Sequence, residues 1–142
     1  MTRRARETLH ASSVAFCGKA LLIIGPSGSG KSGLSLDLLS RGAELIADDQ
    51  TVVTLRSDVI IASAPAAIKG QIEARGIGIL AAGTTAPAPV ALVVDLGKKE
   101  KCRLPENRTT PILGIEIDLI FGAETPSLAA AIIQFLKGGR VA

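Results

Sequence analysis

The chain has no tryptophan and no tyrosine, only three phenylalanines, one histidine and two cysteines in 142 residues. With so few aromatics, the core must be built from Ala, Leu, Ile and Val, which dominate an apolar content of 47%. Such side chains suit strands alternating with helices. Cys17 and Cys102 lie far apart and in no C-x-x-C spacing, so neither a disulfide framework nor a zinc site is indicated, and a reducing cytoplasm is the simplest setting. No run reaches the ~18 apolar residues that would span a bilayer. The start carries arginines and Glu7 but no apolar stretch of a secretory leader, so the reading is a soluble protein without a membrane partner. The formal charge of +3 is mild, and basic residues gather only at Arg3, Arg4 and Arg6 and at Lys98, Lys99 and Lys101. That is too little to point to nucleic acid. The length fits one domain, residues 1–142, with a modest core.

Residues 9–16 and 20–24 read as two strands of a hairpin turning at Cys17-Gly18-Lys19. From Lys31 the leucines at 34, 38 and 39 follow helical spacing, and Arg41-Gly42 should end that helix. "ELIADD" and "TVVTLR" read as a strand interrupted by an acidic pair, and "VIIASAP" as a further strand ended by Pro65. Residues 69–83 mix three glycines with charges and read as a functional loop leading into a short apolar element. A strand is expected at about 90–94, a surface loop over 98–111, and one strand across "PILGIEIDLIF". A final helix should open with Thr125 as N-cap and Pro126 at its first position, and close at glycines 138 and 139. No internal repeat or domain linker is visible.

The segment "LLIIGPSGSGKSGLSLDLL" contains Gly25, Gly28, Gly30, Lys31 and Ser32 in the G-x-x-x-x-G-K-[ST] pattern, between an apolar strand and an amphipathic helix. In that context the loop Gly25, Pro26, Ser27, Gly28, Ser29, Gly30 turns its N–H groups inward. The helix N-terminus adds positive potential, Lys31 reaches β- and γ-phosphates, and the Ser32 hydroxyl ligates Mg²⁺. ATP and Mg²⁺ are the cofactors implied. The pattern names no phosphoryl acceptor, because hydrolases and kinases of several kinds share it. Two acidic partners are open: the pair Asp48-Asp49 after "ELIA", and Asp95 after "VALVV", which looks more like an ordinary Walker B aspartate. The bland alternative for the pair is a solvated turn or a helix cap.

Taken in series, "GPSGSGKSGLSLDLLSRGAELIADD" and "IEARGIGIL" resemble the HPr kinase/phosphorylase family, whose catalytic domains carry a P-loop, a helix ending in Arg-Gly, an Ala-Asp-Asp turn and a Glu-x-Arg-Gly-[apolar]-Gly loop. "LHASSVAF" is similar to the family's entry strand, so the resemblance runs from about residue 9 to at least 80, with a fainter match in "LVVDL", "CRLPE" and "ILGIEI". The implied fold is α/β. It has the P-loop nucleotide-binding core of the HPr kinase and phosphoenolpyruvate carboxykinase type, with strand-rich sheets and few helices. The implied activity is ATP-dependent phosphorylation of a serine on HPr, the phosphocarrier of the sugar phosphotransferase system, or on an HPr-like protein. The resemblance also implies a homo-oligomer, a hexamer in known members, and the short form that carries the catalytic domain without the family's extra N-terminal domain.

Residue by residue, the resemblance makes Asp49 the general base that accepts the seryl proton and Asp48 a supporting acid. Glu73 would join Ser32 as a protein ligand of Mg²⁺, giving hard oxygens to a hard cation. Arg75 would put a cation on the transferring phosphate or pair with a carboxylate, and His10 would contact the phosphate or tune Asp49. Arg103 is the candidate for a further active-site arginine in the charged loop. Many bifunctional members carry an Arg-Pro-Gly-Arg-Asn-like segment before the last helix, associated with phosphate-dependent dephosphorylation. This chain reads "FGAETPSLAAA" there, so the expectation is a protein that mainly or only phosphorylates. Two other classes stay open. One is a small P-loop NTPase or small-molecule kinase using Asp95; the other is a nucleotide-binding regulatory module. A nucleoside-monophosphate kinase should have arginine-rich lid segments, whereas only Arg103 and Arg108 fall between Arg75 and Arg140.

Overall fold

The computed structural model describes residues 5–142 as strands β1 (Arg6–Leu9), β2 (Ser12–Phe16) and β3 (Lys19–Ile24), helix α1 (Lys31–Ser40), then β4 (Glu44–Ala47), β5 (Thr51–Arg56) and β6 (Val59–Ser63). A short 3₁₀ turn (Ala66–Ile68) leads to β7 (Gln71–Ala74) and β8 (Gly78–Ala81), followed by β9 (Ala88–Asp95), β10 (Arg108–Ile112), β11 (Ile115–Phe121) and α2 (Leu128–Gly138). Arg3 and Arg4 of the first basic cluster lie outside the described residues.

One sheet runs β1-β5-β6-β9-β3-β2-β4, and β11 with its hairpin partner β10 adds to the far end of β9. β9 joins the two halves. Its first residues, Ala88 and Pro89, pair antiparallel with β6, while Val90–Asp95 run parallel to β3. β3, β9 and β11 are parallel neighbours, so their C-terminal ends open on one edge, the usual position for a ligand crevice in α/β sheets. Strand alternation divides the core. Leu21 and Ile23 of β3 face a cluster with Leu38 of α1 and Ile132 and Leu136 of α2, whereas Ala20 and Leu22 face Ile46, Val53, Ile60 and Ile117. Among the described residues, no helix is long and apolar enough to cross a membrane.

Five expectations need correcting. The segment 9–16 is not one strand: the chain bends at His10, and β1 pairs with β5 while β2 pairs with β3 and β4. Residues 69–83 contain a regular hairpin, β7 against β8, with the turn 75–77 closed by Ile77 N–H donating to Ala74 O at 2.9 Å. Gly76, at φ +83°, supplies the left-handed backbone of that turn, so the glycines that argue against regular structure instead make it. Residues 98–111 are loop only as far as 107, and "PILGIEIDLIF" is a hairpin, β10 and β11, turning at Leu113 (φ +49°) and Gly114 (φ +84°). Helix α2 starts at Leu128 with Ser127 as N-cap, so Thr125 and Pro126 precede it.

Candidate active site

The loop that follows β3 turns sharply. Gly25, Gly28 and Gly30 all have positive φ, and Ser29 N–H closes a turn onto Pro26 O at 3.0 Å. Gly30 is the N-cap of α1 and offers no side chain to the helix's first N–H groups, so these stay directed at the space in front of the loop. Lys31 is only 7% exposed, and its Nζ donates to Gly25 O at 2.9 Å and to Pro26 O at 3.2 Å. Ser29 Oγ lies buried beneath Gly25 without a hydrogen-bond partner.

The acidic pair is built by two bends that lie side by side. β1 and β2 are the sheet neighbours of β5 and β4, in registers Leu9↔Thr51 and Ser13↔Ala47, so both segments cross between the sheet halves at the same level. At the first crossing Ala11 N–H donates to Leu9 O at 2.9 Å around His10. At the second, Gln50 N–H donates to Asp48 O at 2.8 Å around Asp49. Asp49 has φ +68°, so its crossing is the rare, strained γ-turn with positive φ. His10 and Asp49 therefore meet, with His10 Nε2 2.7 Å from Asp49 Oδ1. An ionised carboxylate can only accept, so the ring nitrogen is the donor. The Asp49 side chain is still 63% exposed and open to an incoming group.

Asp48 is nearly buried and acts as a hub. Its Oδ1 accepts from Ser32 Oγ at 2.7 Å and from Ser12 Oγ at 3.1 Å, and its Oδ2 accepts from Glu73 N–H at 3.0 Å. The last bond ties the β7–β8 hairpin to the acidic turn. The hairpin's base is fixed as well, because Leu45 N–H donates to Gly83 O, and Thr85 N–H donates to Leu45 O.

A cavity of about 470 Å³ results, with a floor of Ser27, Gly28, Gly30, Lys31 and Ser32. Asp48 and Asp49 form one wall, Glu73 and Arg75 another, and Gly33 and Leu36 complete it. That is an ordinary volume for a small-molecule site. Of the sequence-derived candidates, Lys31, Ser32, Asp48, Asp49, Glu73 and Arg75 thus converge on one space, and His10 stands behind Asp49. Arg103 does not line this cavity; it is exposed in the segment between β9 and β10. Asp95 does not line it either. Its Oδ1 accepts from Gly97 N–H at 2.8 Å, closing the turn after β9.

The donors suit a magnesium nucleotide. A helix N-terminus without a side-chain cap, a lysine at the loop, and hydroxyl and carboxylate oxygens from Ser32, Asp48 and Glu73 are hard ligands of the kind that Mg²⁺ takes together with phosphate and water. Ser12 was not among the expected site residues. The available signal was two consecutive serines between Ala11 and the apolar run Val14-Ala15-Phe16, because a hydroxyl buried in such a strand requires a partner.

Residues 3–120 match a family model described as the HPr Serine kinase C-terminal domain. The HPr kinase/phosphorylase of Chloroherpeton thalassium is 36% identical over 124 residues, covering 78% of this chain and 36% of the relative. That of Burkholderia lata is 36% identical over 127 residues, covering 81% and 39%. That of Lactobacillus johnsonii is 45% identical over 76 residues, covering 53% and 24%. The chain thus spans well under half the length of the curated relatives it matches. The solved structure of the Hpr(Ser) kinase/phosphatase from Coxiella burnetii superimposes with a TM-score of 0.80 at 31% identity, covering 92% of this chain and 94% of that one.

Proposed function

The chain belongs to the HPr kinase/phosphorylase family, and from that premise we propose that it transfers the γ-phosphoryl group of ATP, with Mg²⁺, to a serine of HPr or an HPr-like phosphocarrier and so regulates the phosphotransferase system. The observation that carries this reading is a cavity in which Lys31 and Ser32 face Asp48, Asp49 and Glu73. A nucleotide cradle and the exposed carboxylate of Asp49 share one space.

In this reading the glycine-rich loop and the first turn of α1 hold the β- and γ-phosphates, and Lys31 leaves its carbonyl contacts to reach them. Ser32 and Glu73 would hold Mg²⁺, which would offset the negative charge that develops on the phosphates. Asp49 accepts the proton of the seryl hydroxyl as its oxygen bonds to the γ-phosphorus and the bond from that phosphorus to the β,γ-bridging oxygen breaks, releasing ADP. His10, by donating to Oδ1, orients the Asp49 carboxylate and leaves Oδ2 for the substrate. Arg75, at the tip of the hairpin, adds positive charge beside the transferring group. On the same family grounds residues 1–142 act as one catalytic domain, in the cytoplasm, within a homo-oligomer.

The engagement of Asp95 with Gly97 weighs against the alternative in which Asp95 is the working acid. A pair of variants tests the choice. Asp49→Asn should lower the transfer rate by roughly 10²–10⁴-fold while the protein still binds ATP, whereas Asp95→Asn should retain transfer. The opposite pattern would sink the assignment. Run in reverse, with serine-phosphorylated HPr and inorganic phosphate, the wild-type protein should release little pyrophosphate.

A further inference from the structure

Ser12 and Ser13 are adjacent on β2, and both are fully buried. Their hydroxyls do different things. Ser13 Oγ bonds Thr51 Oγ1 at 2.8 Å, and Thr51 Oγ1 donates to Ala11 O at 2.9 Å, which ties β2 to β5 and touches neither aspartate. Ser12 Oγ donates to Asp48 Oδ1 at 3.1 Å and accepts from Asp49 N–H at 3.0 Å, so one hydroxyl engages both members of the acidic pair.

Few side chains could do this. The bridge needs a small group that donates to a carboxylate and accepts from an amide at a single atom, which is what a hydroxyl offers. An alanine would leave the Asp49 N–H without its acceptor and remove one of the two hydroxyls on Asp48 Oδ1. The turn it braces is the strained one, with Asp49 at φ +68°, a backbone conformation that persists only when its surroundings over-determine it. The other brace on that carboxylate, from His10, acts at the exposed tip of the side chain and not on the backbone.

We infer that Ser12 is a positioning residue for phosphoryl transfer: it clamps the Asp48-Asp49 turn so that Asp49 is aimed at the acceptor hydroxyl while Asp48 stays on Ser32. The inference rests on the proposed kinase reading. Ser12 touches no substrate; it acts through the backbone of Asp49 and the carboxylate of Asp48. Since an error of about 1 Å in the placement of a reacting group can cost 10²-fold in rate, loss of the clamp should appear in kcat rather than in nucleotide binding.

The test compares Ser12→Ala, Ser12→Thr and Ser13→Ala in the full chain. Steady-state phosphorylation of an HPr-like acceptor is read beside hydrogen exchange of the Asp49 amide by NMR. Ser12→Ala should lose roughly 10–100-fold in kcat with KM for ATP little changed, and its Asp49 amide should lose protection. Ser12→Thr should restore both, and Ser13→Ala, which removes an equally buried hydroxyl from the same strand, should keep both near wild type. A Ser12→Ala enzyme no slower than Ser13→Ala, an Asp49 amide equally protected in both, or a folded Ser12→Thr as slow as the alanine variant would overturn the inference alone. A wild-type protein that forms no phosphoserine would overturn the kinase reading and the inference with it.

Discussion

At the scale of single residues, the site is a division of labour between two adjacent carboxylates. Asp48 is almost fully engaged, accepting from Ser12, Ser32 and the Glu73 amide, while Asp49 keeps one oxygen open to solvent. The pair was legible as a candidate from its position after "ELIA", beside the glycines, Lys31 and Ser32. Ser12 was not, because it lies 36 residues from Asp48, and His10, which only the resemblance puts near Asp49, lies 39 residues from it. Only the pairing of β1 with β5 and of β2 with β4 makes these residues neighbours. Glu73, expected from the resemblance, lies on the face of β7 opposite the buried Ile72 and Ala74 and lines the cavity, while its own N–H is held by Asp48. If Glu73 is a ligand of Mg²⁺, Glu73→Gln should raise the Mg²⁺ concentration needed for half-maximal rate several-fold while leaving the melting temperature close to wild type. An unchanged Mg²⁺ requirement would remove Glu73 from the metal site.

At the scale of elements, the parts with strong local signals were readable, and the β7–β8 and β10–β11 hairpins were not. The apolar run of β3, the spacing of leucines in α1 and the Cys17-Gly18 turn each carry their own code. The β10–β11 turn carries half of one. Gly114 suits a left-handed position, but Leu113 is not a turn former, and it adopts φ +49° because the strands on either side pair over five residues each. The loop after β3 also depends on a residue far from it in sequence. A methyl group at Gly97 would lie 2.9 Å from Pro26 Cδ and 3.2 Å from Asp95 Oδ1, so the turn after β9 supports the back of the glycine-rich loop. Gly97→Ala should displace Pro26 and raise KM for ATP, by up to about 10²-fold, with the fold retained. Circular dichroism would confirm folding, and a KM equal to wild type would show that the loop does not need this support.

At the scale of the whole molecule, the sheet with its two helices holds the edge that carries the cavity from one side, and the β10–β11 hairpin braces the loop after β9 from the other. Arg108 on β10 pairs with Glu100 in that loop, and its guanidinium lies 4.3 Å from the centre of the Phe121 ring. The hydrogen bond from Arg108 is the main cause that holds the Glu100 carboxyl below its ordinary pKa of 4.5, aided by the amides of Cys102 and Lys101. A carboxyl lowered in the folded state contributes stability that is present above its unfolded pKa and is lost as pH falls through the lowered folded value. Wild type should therefore melt above Glu100→Gln near neutral pH, and the gap should close in acid below both values. A gap that persists unchanged into strong acid would contradict the ion pair as its source. Composition indicated an aliphatic core and mixed strands and helices, but the joining of two sheet halves through β9 depends on long-range pairing that composition does not encode.

The central claim, that this cavity delivers a phosphoryl group to a protein serine, is tested most directly by incubating the protein with γ-labelled ATP, Mg²⁺ and HPr-like acceptors and mapping the label. The account predicts label on a serine of the acceptor, dependent on Asp49. Label on a histidine, or ATP turnover with no labelled acceptor, would contradict it.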